Sequence, residues 1–226
     1  MTAAVETKKR SVVIVDDHPI VRQGLAQLIN QQPDLHVSQE IQNARAAVDS
    51  INQQVPDIAI IDISLEDRSG IELIKDLRAQ HPEMAILALS MHDESLYAER
   101  ALRAGAKGYI MKQEATEQVM TAIRRVLEGQ IYVSERMAAR LLDQLVSAKP
   151  GEEDSPLGRL SDRELEIFSM IGRGMGTREI ANKLTLSIKT VEAHREHIKE
   201  KLKLKNGTEL VRMAVQHALE SPKGDQ

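Results

Sequence analysis

The sequence contains no cysteine among its 226 residues, and this absence excludes three kinds of site. A disulfide scaffold, a thiolate metal site and a cysteine nucleophile all require the thiol group. The chain also lacks any apolar run of the roughly 18 residues that a membrane-spanning helix needs. Its first ten residues are polar, without the apolar segment and cleavage site of a secretory signal. We therefore expect a cytoplasmic protein with no membrane partner, whose chemistry uses oxygen and nitrogen atoms.

Charge is unevenly distributed along the chain. Residues 1–130 carry 14 lysine and arginine residues against 19 aspartate and glutamate residues, a net charge of −5. Residues 159–226 carry 13 against 10, a net charge of +3. A basic segment suggests a polyanionic partner such as nucleic acid, although a surplus of three charges is also common on an ordinary solvated surface. The two ends of the chain therefore favour different partners.

Residues 1–130 alternate between short β-branched apolar runs and amphipathic stretches. The predicted strands cover residues 12–15, 35–39, 58–61, 85–89 and 107–111. The predicted helices that follow them cover residues 19–30, 44–54, 70–80, 93–104 and 115–128. Parallel strands need crossover helices, so this alternation predicts a doubly wound, flavodoxin-like α/β fold with five parallel strands.

The pattern changes after residue 130. An amphipathic helix is predicted over residues 134–146, and a linker with two prolines, two glycines and an acidic run follows over residues 147–158. Only helices are predicted beyond it, over residues 161–171, 177–184, 187–202 and 208–218. We therefore predict an α/β domain over residues 11–130, a linker segment over residues 131–158 and a small all-α four-helix domain over residues 159–220.

Polar residues stand at the ends of four of the five predicted strands. Asp16 and Asp17 follow the first strand, Asp62 ends the third, Ser90 ends the fourth and Lys112 ends the fifth. In a doubly wound sheet the loops at the carboxyl ends of the strands form the binding crevice, so these side chains should meet there. Three converging carboxylates repel one another unless a cation holds them, and a cage of hard oxygens suits Mg²⁺. A metal-neutralised carboxylate can attack phosphorus and form an acyl phosphate, whose oxygens an ammonium and a hydroxyl would hold.

With these residues in this order, residues 11–130 resemble a CheY-like receiver domain, the phospho-acceptor domain of bacterial two-component response regulators. The resemblance implies that Asp62 is the phospho-acceptor and that a sensor histidine kinase supplies the phosphoryl group. It also implies that Asp16, Asp17 and Asp62, together with the main-chain carbonyl of Ser64, hold Mg²⁺.

The same resemblance assigns the switch residues. It implies that Ser90 is the switch hydroxyl, that Lys112 contacts the phosphoryl group, and that Tyr109 is an aromatic switch that turns inward on phosphorylation. An ordinary strand aromatic is the alternative for Tyr109. The chain departs from the family pattern at one place, since it has Leu65-Glu66 where the family commonly has Met-Pro. The added charge of Glu66 predicts a change in kinase docking or in phosphate lifetime.

The all-helical segment resembles the LuxR-type, or NarL/FixJ-like, helix-turn-helix domain. The residues that carry this resemblance are Leu160-Ser161-x-Arg163-Glu164, Gly174, Glu179-Ile180-Ala181, Leu184, Ser187, Lys189-Thr190-Val191-Glu192-x-His194 and Lys201-Leu202. Together the two resemblances imply a DNA-binding response regulator, not an enzyme. Phosphorylation of Asp62 would switch dimerisation, DNA binding or both to control transcription, with a homodimer formed through residues 208–218.

The helix over residues 187–202 is the predicted DNA-reading helix, because a helix N-terminus favours phosphate and residues 187–205 contain six basic side chains against three acidic ones. Base contacts are expected from side chains of its first turns, with Arg195 on a base or a phosphate. The full set of expected contacts with double-stranded DNA is Thr177, Lys189, Thr190, Glu192, Ala193, Arg195, Glu196, Lys199 and Lys201. The alternative for the glutamates is that they are solvent-facing partners of lysine and arginine.

Two other functions use part of the same pattern. An aspartyl-phosphate phosphatase or phosphotransferase would also need Asp62 and Mg²⁺, but it commonly has a second carboxylate two residues after the nucleophile, where this chain has Ser64. A DNA-binding protein whose first domain serves only for dimerisation would have lost the acceptor or the lysine, and both are present. The histidines show no metal-ligand spacing, and none in residues 159–226 is expected beside a carboxylate cluster.

Overall fold

A computed structural model describes residues 9–92, 94–114, 116–147 and 156–220 of the chain. The chain divides into two compact units, Met1–Ala138 and Ala139–Gln226. The first is α/β and the second is helical in its described residues, which confirms the predicted fold class.

The first unit is built around a five-stranded parallel sheet. Its strands are β1 (Arg10–Val15), β2 (Leu35–Ile41), β3 (Ile58–Asp62), β4 (Ala85–Ser90) and β5 (Gly108–Met111). The strand order is β2-β1-β3-β4-β5, so the chain first winds from β1 to β2 and then returns past β1 to β3. Residues 12–15 and all of β3 are buried, as expected for central parallel strands covered on both faces. The switch in winding direction lies between β1 and β3, and the crevice at their carboxyl ends is where doubly wound sheets bind ligands.

Five helices cover the sheet. They are α1 (Pro19–Asn30), α2 (Ala44–Gln53), α3 (Gly70–Gln80), α4 (Glu94–Ala104) and α5 (Thr116–Leu127). Local chemistry sets their starts, since Pro19 is tolerated at the first position of α1 and Asn43 caps α2 by accepting a hydrogen bond from the backbone of Ala46 at 2.8 Å. Buried residues of α1 and α5 belong to one core cluster with residues of β1, β3 and β4. The strands whose ends form the crevice are therefore held by packing against these two helices.

A sixth helix, α6 (Glu135–Ser147), follows α5 and spans the boundary between the two units. Beyond α6, the described residues of the second unit form a short 3-10 turn (Pro156–Arg159) and four helices. These are α7 (Asp162–Gly172), α8 (Thr177–Lys183), α9 (Ile188–Lys201) and α10 (Gly207–Glu220). Ser161 and Glu164 form a capping box at the start of α7, and Ser187 caps α9 by accepting from the Thr190 amide at 3.0 Å.

The predicted elements correspond to those of the structure, with small shifts at their ends. The predicted starts of α4 and α5, at residues 93 and 115, lie outside the described residues, as do residues 148–155 of the predicted linker. The unit boundary after Ala138 falls inside α6, so the start of this helix belongs with the α/β unit. Within the described part of the chain, no helix combines the length and apolar character that crossing a membrane requires.

Candidate functional site

Three carboxylates meet at the carboxyl ends of β1 and β3. Asp16 follows β1 directly and Asp62 is the last residue of β3, and both side chains are fully buried. Asp17 lies at the mouth of the crevice with 12% of its side chain exposed. Each of these three residues, and His18, has one atom that could bind a metal ion, and these four atoms lie within 4.8 Å of one another. The structure therefore gathers the three acidic residues that the sequence predicted as metal ligands.

Lys112, just beyond β5, places its ammonium between two of these carboxylates. Its Nζ lies 2.6 Å from Asp16 Oδ2 and 2.6 Å from Asp62 Oδ2, and the lysine side chain is 3% exposed. A buried charge is tolerated only when it is paired, so one lysine here holds two acids at once. Because Asp17 adds a third carboxylate, the crevice retains more negative charge than its lysine neutralises.

Burial and charge act on these groups in opposite directions. Burial raises the pKa of Asp62 above its usual range, the Lys112 ammonium opposes this rise, and the Asp16 carboxylate adds to it. Burial alone would lower the pKa of Lys112, but the charges of Asp62 and Asp16 outweigh it and raise that pKa. The lysine is therefore held in its charged form, and a divalent cation with oxygen ligands would relieve the remaining repulsion.

Two residues of this crevice were missed in the sequence. His18 Nδ1 lies 2.6 Å from Asp17 Oδ1, and the His18 amide donates to Asp16 Oδ1 at 2.8 Å. Arg22 donates from Nη1 to the main-chain oxygen of Asp16 at 2.6 Å. The signal was their position, because Pro19 starts α1 and so fixes His18 beside the acidic pair and Arg22 one turn into the helix.

Two of the predicted switch residues, Ser90 and Tyr109, are joined through His92. The Ser90 hydroxyl accepts a hydrogen bond from the His92 amide at 2.9 Å, and the Tyr109 hydroxyl donates to the His92 carbonyl at 2.8 Å. His92 Nε2 lies 2.8 Å from Ser64 Oγ, and the Ser64 amide donates to Asp62 Oδ1 at 3.1 Å. Tyr109 is already inward in this structure, with 2% of the residue exposed. The loop after β4 is thus tied both to the acceptor strand and to β5.

At the position where the sequence departs from the receiver pattern, Leu65 and Glu66 have different environments. Leu65 is fully buried and Glu66 is exposed. The extra charge of Glu66 therefore faces solvent and does not enter the carboxylate cluster.

In the helical unit, α9 presents one exposed face. Four residues of the predicted DNA-contacting set lie along it at spacings of three and four residues, and all are exposed: Lys189, Glu192, Ala193 and Glu196. The opposite face packs into the unit through Val191 and Ile198, which are fully buried. Arg195 and Lys199 are half-buried, and Lys199 pairs with Glu196 at 2.8 Å.

The remaining predicted DNA contacts have internal partners or lie on another helix. The Thr190 hydroxyl lies 2.7 Å from the Ser187 hydroxyl in the N-cap of α9, and Thr177 is the first residue of α8. Lys201 Nζ lies 2.6 Å from Glu164 Oε2, so this lysine ties α9 to α7. Although burial would raise the pKa of Glu164, the bonds from Lys201 and from the Ser161 amide hold it below its usual range.

Two histidines of the helical segment lie beside one carboxylate, a contact that the sequence did not indicate. Donor atoms of Glu164, His194 and His197 lie within 4.8 Å of one another, because α7 packs on α9. Glu164 is thirty residues earlier in the sequence than His194, so spacing along α9 did not reveal it. Its Oε2 is occupied by Ser161 and Lys201, while Oε1 lies 4.0 Å from His197 Nδ1. In this arrangement the cluster fastens α7 to α9.

Comparison with known proteins matches each unit to a family. Residues 12–124 match the response regulator receiver domain, and residues 158–214 match the bacterial regulatory proteins of the luxR family. The oxygen regulatory protein NreC of Staphylococcus carnosus (strain TM300) is 39% identical over 212 residues, covering 92% of this chain and 98% of NreC.

Solved structures give the same result. RcsB from Salmonella enterica serovar Typhimurium, bound to promoter rprA in the presence of phosphomimetic BeF3⁻, is 26% identical with a TM-score of 0.61, covering 92% of this chain and 99% of that one. A LuxR-family two-component response regulator from Aurantimonas sp. SI85-9A1 is 32% identical with a TM-score of 0.57, covering 62% of this chain and 99% of that one. The chain therefore belongs to the two-component response regulators that combine a receiver domain with a LuxR-type DNA-binding domain, and it is a transcription regulator, not an enzyme.

Proposed function

We propose that Asp62 accepts a phosphoryl group from a sensor histidine kinase and that this modification controls DNA binding through α9. The observation that carries the proposal is the Lys112 ammonium, held 2.6 Å from an oxygen of both Asp16 and Asp62 in a crevice of three carboxylates. In the reaction, an Asp62 oxygen forms a bond to phosphorus. The bond from phosphorus to the kinase histidine breaks, and that nitrogen keeps the electron pair. Lys112 and the Ser90 hydroxyl are placed to hold the phosphoryl oxygens.

The metal proposed for this crevice is Mg²⁺, held by Asp16, Asp17, Asp62 and the carbonyl of Ser64. The donor set supports it, because Mg²⁺ prefers hard oxygen ligands and the crevice has an excess of carboxylate charge. When bound, the ion would neutralise charge that develops on the transferred phosphoryl group. His18 occupies the mouth of the cluster with 55% of its side chain exposed, so it can move aside for an incoming ion.

The phosphatase alternative is disfavoured by the residue two positions beyond the acceptor. Ser64 stands there, and its hydroxyl is engaged with His92 at 2.8 Å. The alternative of a receiver that serves only for dimerisation has no need of the buried acceptor and lysine, whose burial carries a cost in folding free energy.

Replacing Asp62 with asparagine tests the acceptor. With acetyl phosphate and Mg²⁺, the wild-type chain should gain one phosphoryl group by intact-mass spectrometry, and Asp62→Asn should gain none because the amide cannot attack phosphorus. Asp17→Asn should raise the Mg²⁺ concentration needed for half-maximal modification, since it removes one charged ligand. Asp49→Asn, on α2 away from the crevice, is the control. Equal modification of Asp62→Asn and the wild type would contradict the assignment.

On the DNA side, we propose that the exposed face of α9 enters the major groove. The similarity to RcsB, whose structure is bound to a promoter, supports DNA binding by this chain, and the exposure of this face makes it available for contact. A single helix-turn-helix domain offers few contacts, so we propose that two chains bind paired half-sites as a homodimer. A regulator of DNA in a bacterial cell acts in the cytoplasm, which is the location we propose.

Lys189 and Glu192 should affect DNA binding in different ways. If Lys189 contacts phosphate, Lys189→Ala should weaken binding to all sequences and reduce the salt slope by about one. If Glu192 reads a base, Glu192→Ala should relax preference at one base pair by about 1–3 kcal/mol and leave the salt slope unchanged. Glu200→Ala, an exposed glutamate on the same helix, is the matched control. Titrations against single-base variants at two salt concentrations separate these effects, and a Glu192→Ala profile like that of Glu200→Ala would remove Glu192 from base readout.

A further inference from the structure

The segment that leaves α5 runs along the open edge of the sheet. Tyr132 pairs with β5 in parallel orientation: its amide donates to the Lys107 carbonyl and its carbonyl accepts from the Tyr109 amide, both at 2.9 Å. At Gly108 an added Cβ would lie 3.0 Å from the Tyr132 oxygen, so the contact is close. The segment therefore occupies the edge of β5 that an uncovered strand would offer to another chain.

Because this pairing is parallel, the segment runs in the same direction as β5, toward the carboxyl ends of the strands, where the proposed phosphorylation site lies. There it meets Glu94, the first described residue of α4, which is 4% exposed. Glu94 Oε1 accepts hydrogen bonds from Ser134 Oγ at 2.6 Å and from Arg136 Nε at 3.2 Å. Ser134 also accepts from the Met137 amide at 3.1 Å, so the residue that caps α6 is itself bonded to α4.

Glu94 is also close to the loop after β4, which joins Ser90 to Tyr109 through His92. It lies two residues after His92, whose amide donates to Ser90 and whose carbonyl accepts from Tyr109. A phosphoryl group adds about −1.5 to −2 charges and draws hydrogen-bond donors toward itself. When the Ser90 hydroxyl moves to the phosphoryl group, its bond to the His92 amide is lost or bent. The chain has little length between His92 and Glu94 to absorb that shift.

We propose that Glu94, Ser134 and Arg136 form a clamp through which the receiver holds the start of α6, and that modification of Asp62 opens it. The clamp rests on the proposed function, since it needs a phosphoryl group at Asp62. Through Glu94, it connects the loop after β4 to the segment that leads to the DNA-binding unit. Glu94 acts here as a positioning residue, because its carboxylate touches the linker segment and not the phosphoryl group.

Hydrogen exchange on the full chain tests the clamp. On addition of BeF3⁻ and Mg²⁺, the Met137 amide, which Ser134 Oγ caps at the start of α6, should exchange about fivefold faster, the factor expected when a cap worth about 1 kcal/mol is lost. Glu94→Gln and Arg136→Gln should exchange faster at this amide before any addition and should respond less to BeF3⁻. Arg103→Gln is the matched control, because Arg103 forms an exposed ion pair with Glu99 on the same helix.

DNA titration provides a second test, because residues that only stabilise the fold should not change how much BeF3⁻ alters the DNA affinity. A duplex is first selected from a random library with the BeF3⁻-treated wild type, and its affinity is then measured with and without BeF3⁻. The ratio of the two affinities should fall toward one in both clamp variants and stay at the wild-type value in Arg103→Gln. Unchanged ratios in the clamp variants, or unchanged wild-type exchange, would overturn the clamp if acetyl phosphate still modifies Asp62 in the same preparation. Failure of that modification would overturn the proposed function together with the clamp.

Discussion

Replacing Lys112 with alanine is expected to destabilise the receiver unit by roughly 3–5 kcal/mol in the absence of Mg²⁺, the usual cost of removing one partner from a buried ion pair. The carboxylates of Asp16 and Asp62 would then face each other, fully buried, without a counter-charge. Saturating Mg²⁺ should restore much of the loss, because an ion that binds only the folded state stabilises it by mass action. Urea unfolding with and without Mg²⁺ measures both effects.

The acidic cluster also offers an internal control for this prediction. In the double variant with Lys112→Ala and Asp62→Asn, one buried charge is removed together with the lysine, so part of the lost stability should return. Lys107→Ala, a lysine at the start of the same strand region, should change stability by less than about 1 kcal/mol. If Lys112→Ala unfolds at the same urea concentration as the wild type without Mg²⁺, the lysine does not offset the cost of burying these carboxylates.

The loss should also depend on pH in a defined direction. Without the lysine, burial and the nearby Asp16 carboxylate keep the folded-state pKa of Asp62 above its unfolded value, with no ammonium to oppose them. A carboxylate whose pKa is higher in the folded state than in the unfolded state lowers the free energy of unfolding at pH values above the folded-state pKa. At pH values below the unfolded-state pKa it has no such effect. The difference between Lys112→Ala and the wild type should therefore be largest near neutral pH and shrink as the pH falls.

The crevice could be predicted because its residues stand at strand ends. A period of two or a continuous apolar run marks each strand, and the position just after it is fixed at the carboxyl edge of a parallel sheet. Asp62 and Lys112 lie fifty residues apart in sequence, yet this rule alone brings them together. The same reasoning placed the exposed face of α9, where helical spacing separates Glu192 from the buried Val191.

Contacts between elements could not be predicted in this way. The bond between Glu94 and Ser134 joins residues forty positions apart, and the pairing of Tyr132 with β5 involves a single residue, which is too short to show a strand pattern. Lys201 shows the same limit, since its charge indicated a DNA contact and could not reveal its ion pair with Glu164. Propensity and periodicity describe one element at a time, whereas these contacts depend on how two elements pack.

Gly70→Ala is expected to impair both the stability and the phosphorylation of the receiver. Gly70 starts α3, and a Cβ added there would lie 2.0 Å from the main-chain oxygen of Asp62 and 2.6 Å from Ile63 Cα. Both neighbours are backbone atoms at the end of β3, so no side chain can rotate away to make room. The Gly70 amide also donates to the Ile63 carbonyl at 2.9 Å, which holds the two segments together. The helix start and the end of β3 must therefore separate.

Such overpacking typically costs about 1–3 kcal/mol, and here the backbone that moves carries the acceptor carboxylate. Modification by acetyl phosphate should slow at least as much as in Asp17→Asn, even at temperatures where Gly70→Ala remains folded. Gly24→Ala is the matched control, because Gly24 lies within α1 with nothing within 4 Å of the added Cβ. That variant should gain about 0.5–1 kcal/mol from helix propensity and keep the wild-type phosphorylation rate. A folded Gly70→Ala chain that is phosphorylated at the wild-type rate would contradict this prediction. It would show that the reaction of Asp62 does not depend on the exact position of the end of β3.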